Sequence, residues 1–168
     1  RGAQLFYGEA GCSDCHSGPL FTDQKAHSLA APQLGPGKSD DGYDRGRELE
    51  TGNPEDAYAF RTPPLRNVSL TGPYLHAGTF ATLEDVILHH VQPTQSLESY
   101  TGEHLNEVHR ALVLVDEEFI EQAGGSVSPK LAGCESLGDE DIQALVAFLE
   151  ALTDESLTMV STAKKDAW

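Results

Sequence analysis

Methionine, cysteine and positive charge are all scarce in this sequence, and each shortage excludes something. The 168 residues include one methionine, Met159, and three cysteines, Cys12, Cys15 and Cys134. A structural zinc site draws on about four ligands, usually as two paired groups, and Cys134 is too remote to complete a second pair. Lysine and arginine total 11 against 27 aspartates and glutamates, for a formal net charge of −16 and a pI near 4.6. Such a field repels polyanions and argues against nucleic-acid or anionic-membrane binding. It suits a protein that docks on a basic partner surface, or one that lives in a salty medium. No apolar run approaches the ~20 residues of a membrane span. Neither an initiator methionine nor a signal peptide precedes Arg1, so a processed protein or a piece of a longer one is expected. The length and the 39% hydrophobic content suit one domain with a modest core.

What is present is Cys12-Ser13-Asp14-Cys15-His16, a C-x-x-C-H motif and the attachment signature of a c-type haem. The two thiols add across the haem vinyl groups, and the adjacent imidazole reaches the iron from one face. A thioredoxin-like redox motif would need a surrounding βαβ pattern, and none is visible. One covalent haem c is therefore expected, held by Cys12, Cys15 and His16. Its bacterial attachment outside the cytoplasm points to a periplasmic or extracellular protein. Cys134, the odd thiol, reads as a buried inert cysteine.

A short helix is expected before the motif, over Ala3–Tyr7, with a turn and apolar residues after it at Gly18-Pro19-Leu20-Phe21. Residues 22–59 carry little periodicity, with Pro32, Gly35, Pro36, Gly37 and Gly42 punctuating a run of acids. They read as a long loop with one short helix and no second core, wrapped on a cofactor edge. His27 within it is expected at the surface, with a haem-propionate contact as the sharper alternative. Pro63 and Pro64 exclude a helix around Phe60–Val68, where Arg61 and Arg66 stand out in so acidic a chain. Arginine's planar fork suits carboxylates, so one or both are candidates for the haem propionates, with internal salt bridges as the alternative.

The turn-rich stretch Thr71–Gly78 leads into a helix capped at Thr82, with Asp85 three residues on. Leu83, Val86, Ile87 and His90 follow one helical face, and His89 lies about 100° around, more exposed. The other usual haem ligand is methionine, and Met159 falls beyond the last expected helix. His90 is therefore the leading distal ligand; His76 is the second candidate, and an open or water-bound site is the third. Residues 103–123 read as one amphipathic helix through Leu105, Val108, Leu112, Val115 and Phe119. A last helix begins at Gly138–Asp141 and carries its apolar stripe across the N-terminal helix. The fold class expected is all-α, a cytochrome c-like domain over residues 1–157 with long irregular loops around one haem, followed by a polar tail over 158–168.

These segments together resemble a known family. Cys12–His16 with Gly18-Pro19-Leu20-Phe21, Pro32-Gln33-x-Gly35-Pro36-Gly37 and Asp44-x-Gly46-Arg47 look like the C-terminal haem domain of bacterial di-haem cytochrome c peroxidases. Phe60-Arg61-Thr62-Pro63-x-Leu65-Arg66-Asn67-Val68, Thr71-x-Pro73-Tyr74-x-His76-x-Gly78, Thr82-Leu83-Glu84 and the final Leu145–Thr153 continue the match. The group includes the di-haem enzyme that matures the tryptophan-derived cofactor of methylamine dehydrogenase. The resemblance implies His16 as proximal ligand and places the distal position, methionine in the peroxidases and tyrosine in the maturation enzyme, on His90. It also implies a calcium ion held partly by backbone carbonyls, at Thr71 and Pro73 here. The chain departs from the family in having one C-x-x-C-H and no upstream peroxidatic haem domain.

The function expected is single-electron transfer through a bis-histidine haem, to a separate redox protein or a missing haem domain. The alternative is a peroxide-reducing or protein-oxidising haem enzyme, with His76 as its acid–base residue.

Overall fold

The computed structural model describes residues 1–131, 137–154 and 156–157; Cys134 and the expected tail over 158–168 lie outside them. Helix α1 (Gly2–Tyr7) is followed by a 3-10 turn over Cys12–Asp14. Strands β1 (Ala26–Ser28) and β2 (Gln33–Leu34), the short α2 (Glu48–Thr51) and strand β3 (Ala59–Arg61) come next. Then come α3 (Leu83–Val91), α4 (Pro93–Glu98), α5 (Glu107–Arg110), β4 (Val113–Leu114), α6 (Glu117–Gly125) and α7 (Asp139–Glu150).

The terminal helices cross as the apolar stripes require. Leu5, Phe6 and Ala10 pack with Leu83, Leu145 and Leu149 in one core that includes Leu65 and Val68. The Phe6 and Phe148 rings pack with centroids 5.0 Å apart and planes tilted by 53°, and Arg1 donates from Nε to Asp141 in the acidic first turn of α7 at 2.9 Å. Helix α3 starts where expected: Thr82 accepts from the Asp85 backbone N–H at 3.1 Å, and the helix lies on α7.

Three expectations need correction. The domain is helix-rich but not all-α: β1 pairs antiparallel with β3, Ala26 opposite Arg61, and β2 pairs antiparallel with β4, Gln33 opposite Leu114. Residues 103–123 are not one helix. The Asn106 side chain caps α5 by accepting from His109 N–H at 2.9 Å, which leaves Val108 72% exposed. The chain then extends through Val113–Leu114 to pair with β2, and Asp116 restarts the helix by accepting from Phe119 N–H at 2.8 Å. β-Branched valine favours the strand, and two capping side chains offer the backbone an alternative to continuous helix.

Finally, residues 22–59 do build a second core. Ala30, Tyr43 and Tyr58 pack with Leu97 of α4 and with Phe119 and Ala123 of α6. Tyr43 and Tyr58 flank the Phe119 ring at 5.4 and 5.6 Å, and their hydroxyls donate to Asp116 and Gln122, each at 2.8 Å. Asp116 thus serves two partners. The Phe119 backbone and the Tyr43 hydroxyl hold its carboxyl below the usual range against the opposing effect of burial. A carboxyl depressed in the folded state stabilises above its unfolded value of ~4 and loses that contribution as pH falls through the folded value. Asp116→Ala is expected to cost about 1 kcal/mol as a lost cap, and more with the Tyr43 bond. In urea titrations the deficit should shrink below about pH 4, as the parent's own carboxyl protonates; a deficit independent of pH would contradict this.

Candidate haem site

The first core does not close completely. A cavity of about 370 Å³ opens between α1, α3 and α7 on one side and the 60–76 segment on the other, within the size range of ligand sites. Its walls are largely apolar, including Phe6, Leu65, Val86, Ile87, Leu131 and Leu145. Cys12, Cys15, His16 and His90 all line it.

The attachment motif is set by local geometry. Gly11 at φ 59° turns the chain out of the N-terminal segment, the 3-10 turn begins at Cys12, and His16 N–H returns to the Cys12 carbonyl at 2.9 Å. The His16 ring donates from Nδ1 to the Phe21 carbonyl at 3.1 Å. Phe21 has φ 56°, an uncommon conformation for so bulky a residue, and its ring lies 5.9 Å from Phe6 and 6.4 Å from Phe148. Aromatic packing therefore supports a backbone twist that aims a carbonyl at the imidazole. Burial first and the nearby His90 second lower His16 to about 4, against the raising effect of the Phe21 and Pro63 carbonyls.

His90 is arranged in the same way. Its Nδ1 donates to the Val86 carbonyl at 2.7 Å, and burial pushes its pKa down. A neutral imidazole that donates from Nδ1 carries its lone pair on Nε2, and a metal-bound histidine ordinarily ties its other nitrogen to a carbonyl in this way. Two such imidazoles, two thiols at i and i+3 and an apolar slot fit a covalently attached haem.

His89 differs from expectation. It is completely buried, 0% exposed, with Nε2 donating to the Leu29 carbonyl at 2.8 Å and its ring 5.0 Å from Phe80. Burial first and the nearby His90 second lower it to about 3, against the raising effect of the Leu29 carbonyl. On its His89 side, helix α3 meets Phe80 and the Leu29 carbonyl and not water.

The remaining candidates divide. Arg61 lines the cavity and donates from Nη1 to Gln24 at 3.0 Å. Arg66 is exposed and is not among the lining residues. His76 lines the cavity, stacks on Phe60 at 3.5 Å with 10° between the planes, and places Nε2 3.8 Å from Asp44; burial lowers its pKa against the pull of Asp44. Thr71 and Pro73 are exposed and sit at the cavity wall.

His27 is not a surface residue: its side chain is 14% exposed and pairs with Asp23 at 2.9 Å. Burial would raise the Asp23 carboxyl, but bonds from His27 and the Lys25 backbone hold it well below the usual range. Ligand atoms of Cys15, Asp23 and His27 lie within 4.8 Å of one another. His27 is therefore at the attachment end of the cavity, and a thioether at Cys15 would leave no thiolate there for a separate metal. Lys130, absent from the sequence expectations, also lines the cavity and donates to the Asp14 carbonyl at 2.8 Å. Nothing in its local pattern signals this, because its partner is 116 residues earlier.

No family model matches the chain. It is 33% identical over 178 aligned residues to the cytochrome-c peroxidase IdrP1 of Denitromonas iodatirespirans, covering 91% of this chain and 39% of that protein. It is 32% identical over 136 residues to the methylamine utilization protein MauG of Methylorubrum extorquens, covering 78% of this chain and 37% of that protein. Among solved structures, a MauG-like protein associated with microbial copper homeostasis superposes with a TM-score of 0.63 at 28% identity, over 93% of this chain and 46% of that one. The chain thus spans about two fifths of the length of these curated relatives.

Proposed function

Because the chain belongs to the family of di-haem cytochrome c peroxidases and MauG, we propose that it is a haem c module that carries single electrons between a partner and a bis-histidine centre. Cys12 and Cys15 would hold the haem covalently, and His16 and His90 would bind it from opposite faces. When bound, the haem supplies one-electron Fe(III)/Fe(II) chemistry. The observation that carries the reading is the matched pair of imidazoles, each tied through Nδ1 to a backbone carbonyl and facing one apolar cavity.

The protein's own contribution is positional. The Phe21 and Val86 carbonyls fix both ring orientations, and a haem held by both histidines would offer peroxide no open position. The apolar walls keep water from the centre. Arg61 at the rim is available to a propionate. A periplasmic or extracellular setting and a redox partner, or a further haem domain, follow from the same reading. No helix among the described residues is long and apolar enough to cross a membrane.

A second reading is favoured by His76, which lines the cavity with Asp44 beside it. It is a peroxide-reducing or protein-oxidising enzyme in which the distal ligand is displaced and His76 moves the proton. Oxidised and reduced optical spectra separate the two. Electron transfer predicts a low-spin parent that turns high-spin in His90→Ala. A high-spin parent that reacts rapidly with peroxide would replace the first reading with the second.

A further inference from the structure

Rings lead away from His90 without a break. The His89 ring lies 6.4 Å from that of His90, Phe80 lies 5.0 Å from His89, Tyr100 lies 5.5 Å from Phe80, and His104 lies 6.2 Å from Tyr100. The inner members are locked: His89 is 0% and Phe80 7% exposed. His89 donates to the Leu29 carbonyl at 2.8 Å, and the Tyr100 hydroxyl donates to the Thr79 carbonyl at 2.7 Å. Tyr100 is half-buried and His104 exposed, so the series runs from the proposed iron ligand to solvent. Electron tunnelling weakens exponentially with distance and is worst across gaps, and close-packed rings leave none.

The surface at the outer end has a definite character. Glu98, Glu103 and Glu107 are exposed there beside Val108, which is 72% exposed. The one nearby arginine, Arg110, turns its guanidinium back onto the Glu103 and Leu105 carbonyls at 2.7 and 3.1 Å, leaving the carboxylates to face outward. An exposed apolar side chain with three exposed glutamates within ten residues of it along the chain complements a lysine-rich surface.

We infer that the Tyr100–His104 face is the docking and electron-exchange surface for a basic one-electron redox protein, joined to the haem through His89 and Phe80. This rests on the reading of His90 as an iron ligand. An electron leaving this way oxidises the iron by one unit and reduces the partner by one, with no bond made or broken and no proton moved.

The test uses the haem-loaded protein and a lysine-rich mitochondrial cytochrome c as probe. Docking is read by calorimetry and electron exchange by stopped-flow absorbance. The combined Glu98→Gln, Glu103→Gln and Glu107→Gln variant should weaken docking about tenfold at low salt, as raised salt should for the parent. Tyr100→Leu should keep the parent's docking and optical spectrum while slowing exchange at least fivefold, and Tyr100→Phe should restore it. His104→Ala, at an exposed position, should slow exchange without burdening the fold. Unchanged docking in the charge variant overturns the proposal. So does unchanged exchange in Tyr100→Leu and His104→Ala, which would route electrons through the cavity's Cys12–Cys15 end. A parent spectrum indifferent to His90→Ala removes the inner rung and overturns the proposal at its premise.

Discussion

On the proposed His16 and His90 ligation, methionine at position 90 is expected to preserve a low-spin spectrum and to raise the midpoint potential of the haem. Thioether sulfur is a softer donor than imidazole and favours the ferrous state. The substitution is mild for the fold, because His90 faces the cavity and, among the described residues, its side chain bonds to the Val86 carbonyl alone, which in a helix already accepts from the backbone N–H four residues on. His90→Gly extends the test: the spectrum should turn high-spin and return to low-spin when free imidazole is added. Potentiometric titration and visible absorption read both results. A potential and a spectrum unmoved by His90→Met would show that the distal ligand is elsewhere. His89→Met is the internal control. It should leave the spectrum's ligand signature in place and lower stability, because it removes the hydrogen bond of the fully buried His89 to the half-buried Leu29 carbonyl, worth about 1 kcal/mol.

These neighbouring histidines show where sequence reasoning carries and where it stops. The spacing of Leu83, Val86, Ile87 and His90 puts them on one helical face, and all four line the cavity. That face is local information, fixed by 3.6 residues per turn. What covers the opposite face is not local: the Leu29 carbonyl comes from 60 residues earlier.

The same limit explains the helix expected over 103–123. Its apolar positions do repeat at helical spacing, but the pairing partner that draws Val113–Leu114 into a strand is Gln33–Leu34, about eighty residues back. Residues 22–59 read as a loop without a core because Tyr43 and Tyr58 are single aromatics without periodicity. Their packing partner, Phe119, belongs to a different part of the chain. The C-x-x-C-H segment was legible for the opposite reason, since its geometry closes within five residues.

The other large effect belongs to the smallest side chain in the first helix. Gly2→Val is expected to prevent the crossing of α1 on α7 and to lower the thermal midpoint sharply. A Cβ at Gly2 would sit 2.0 Å from the Ala144 carbonyl oxygen and 2.7 Å from Phe148 Cβ. The obstacle is mainly backbone, which no rotamer change relieves, so the helices must separate. Separation would expose part of a core that includes Leu5, Phe6, Leu145 and Leu149 and would widen the cavity, which Phe6, Leu145 and Leu149 line. Overpacking costs about 1–3 kcal/mol where side chains yield; a backbone clash belongs at or above the upper end of that range. With native stabilities of only ~5–15 kcal/mol, circular-dichroism melting should show the loss directly. Gly2→Ala should give a smaller shift of the same sign, since it adds the clashing methyl and nothing beyond it. A Gly2→Val protein that melts with the parent would mean that the terminal helices do not cross at this residue. The cavity would then lack the rigid wall that Phe6, Leu145 and Leu149 give it.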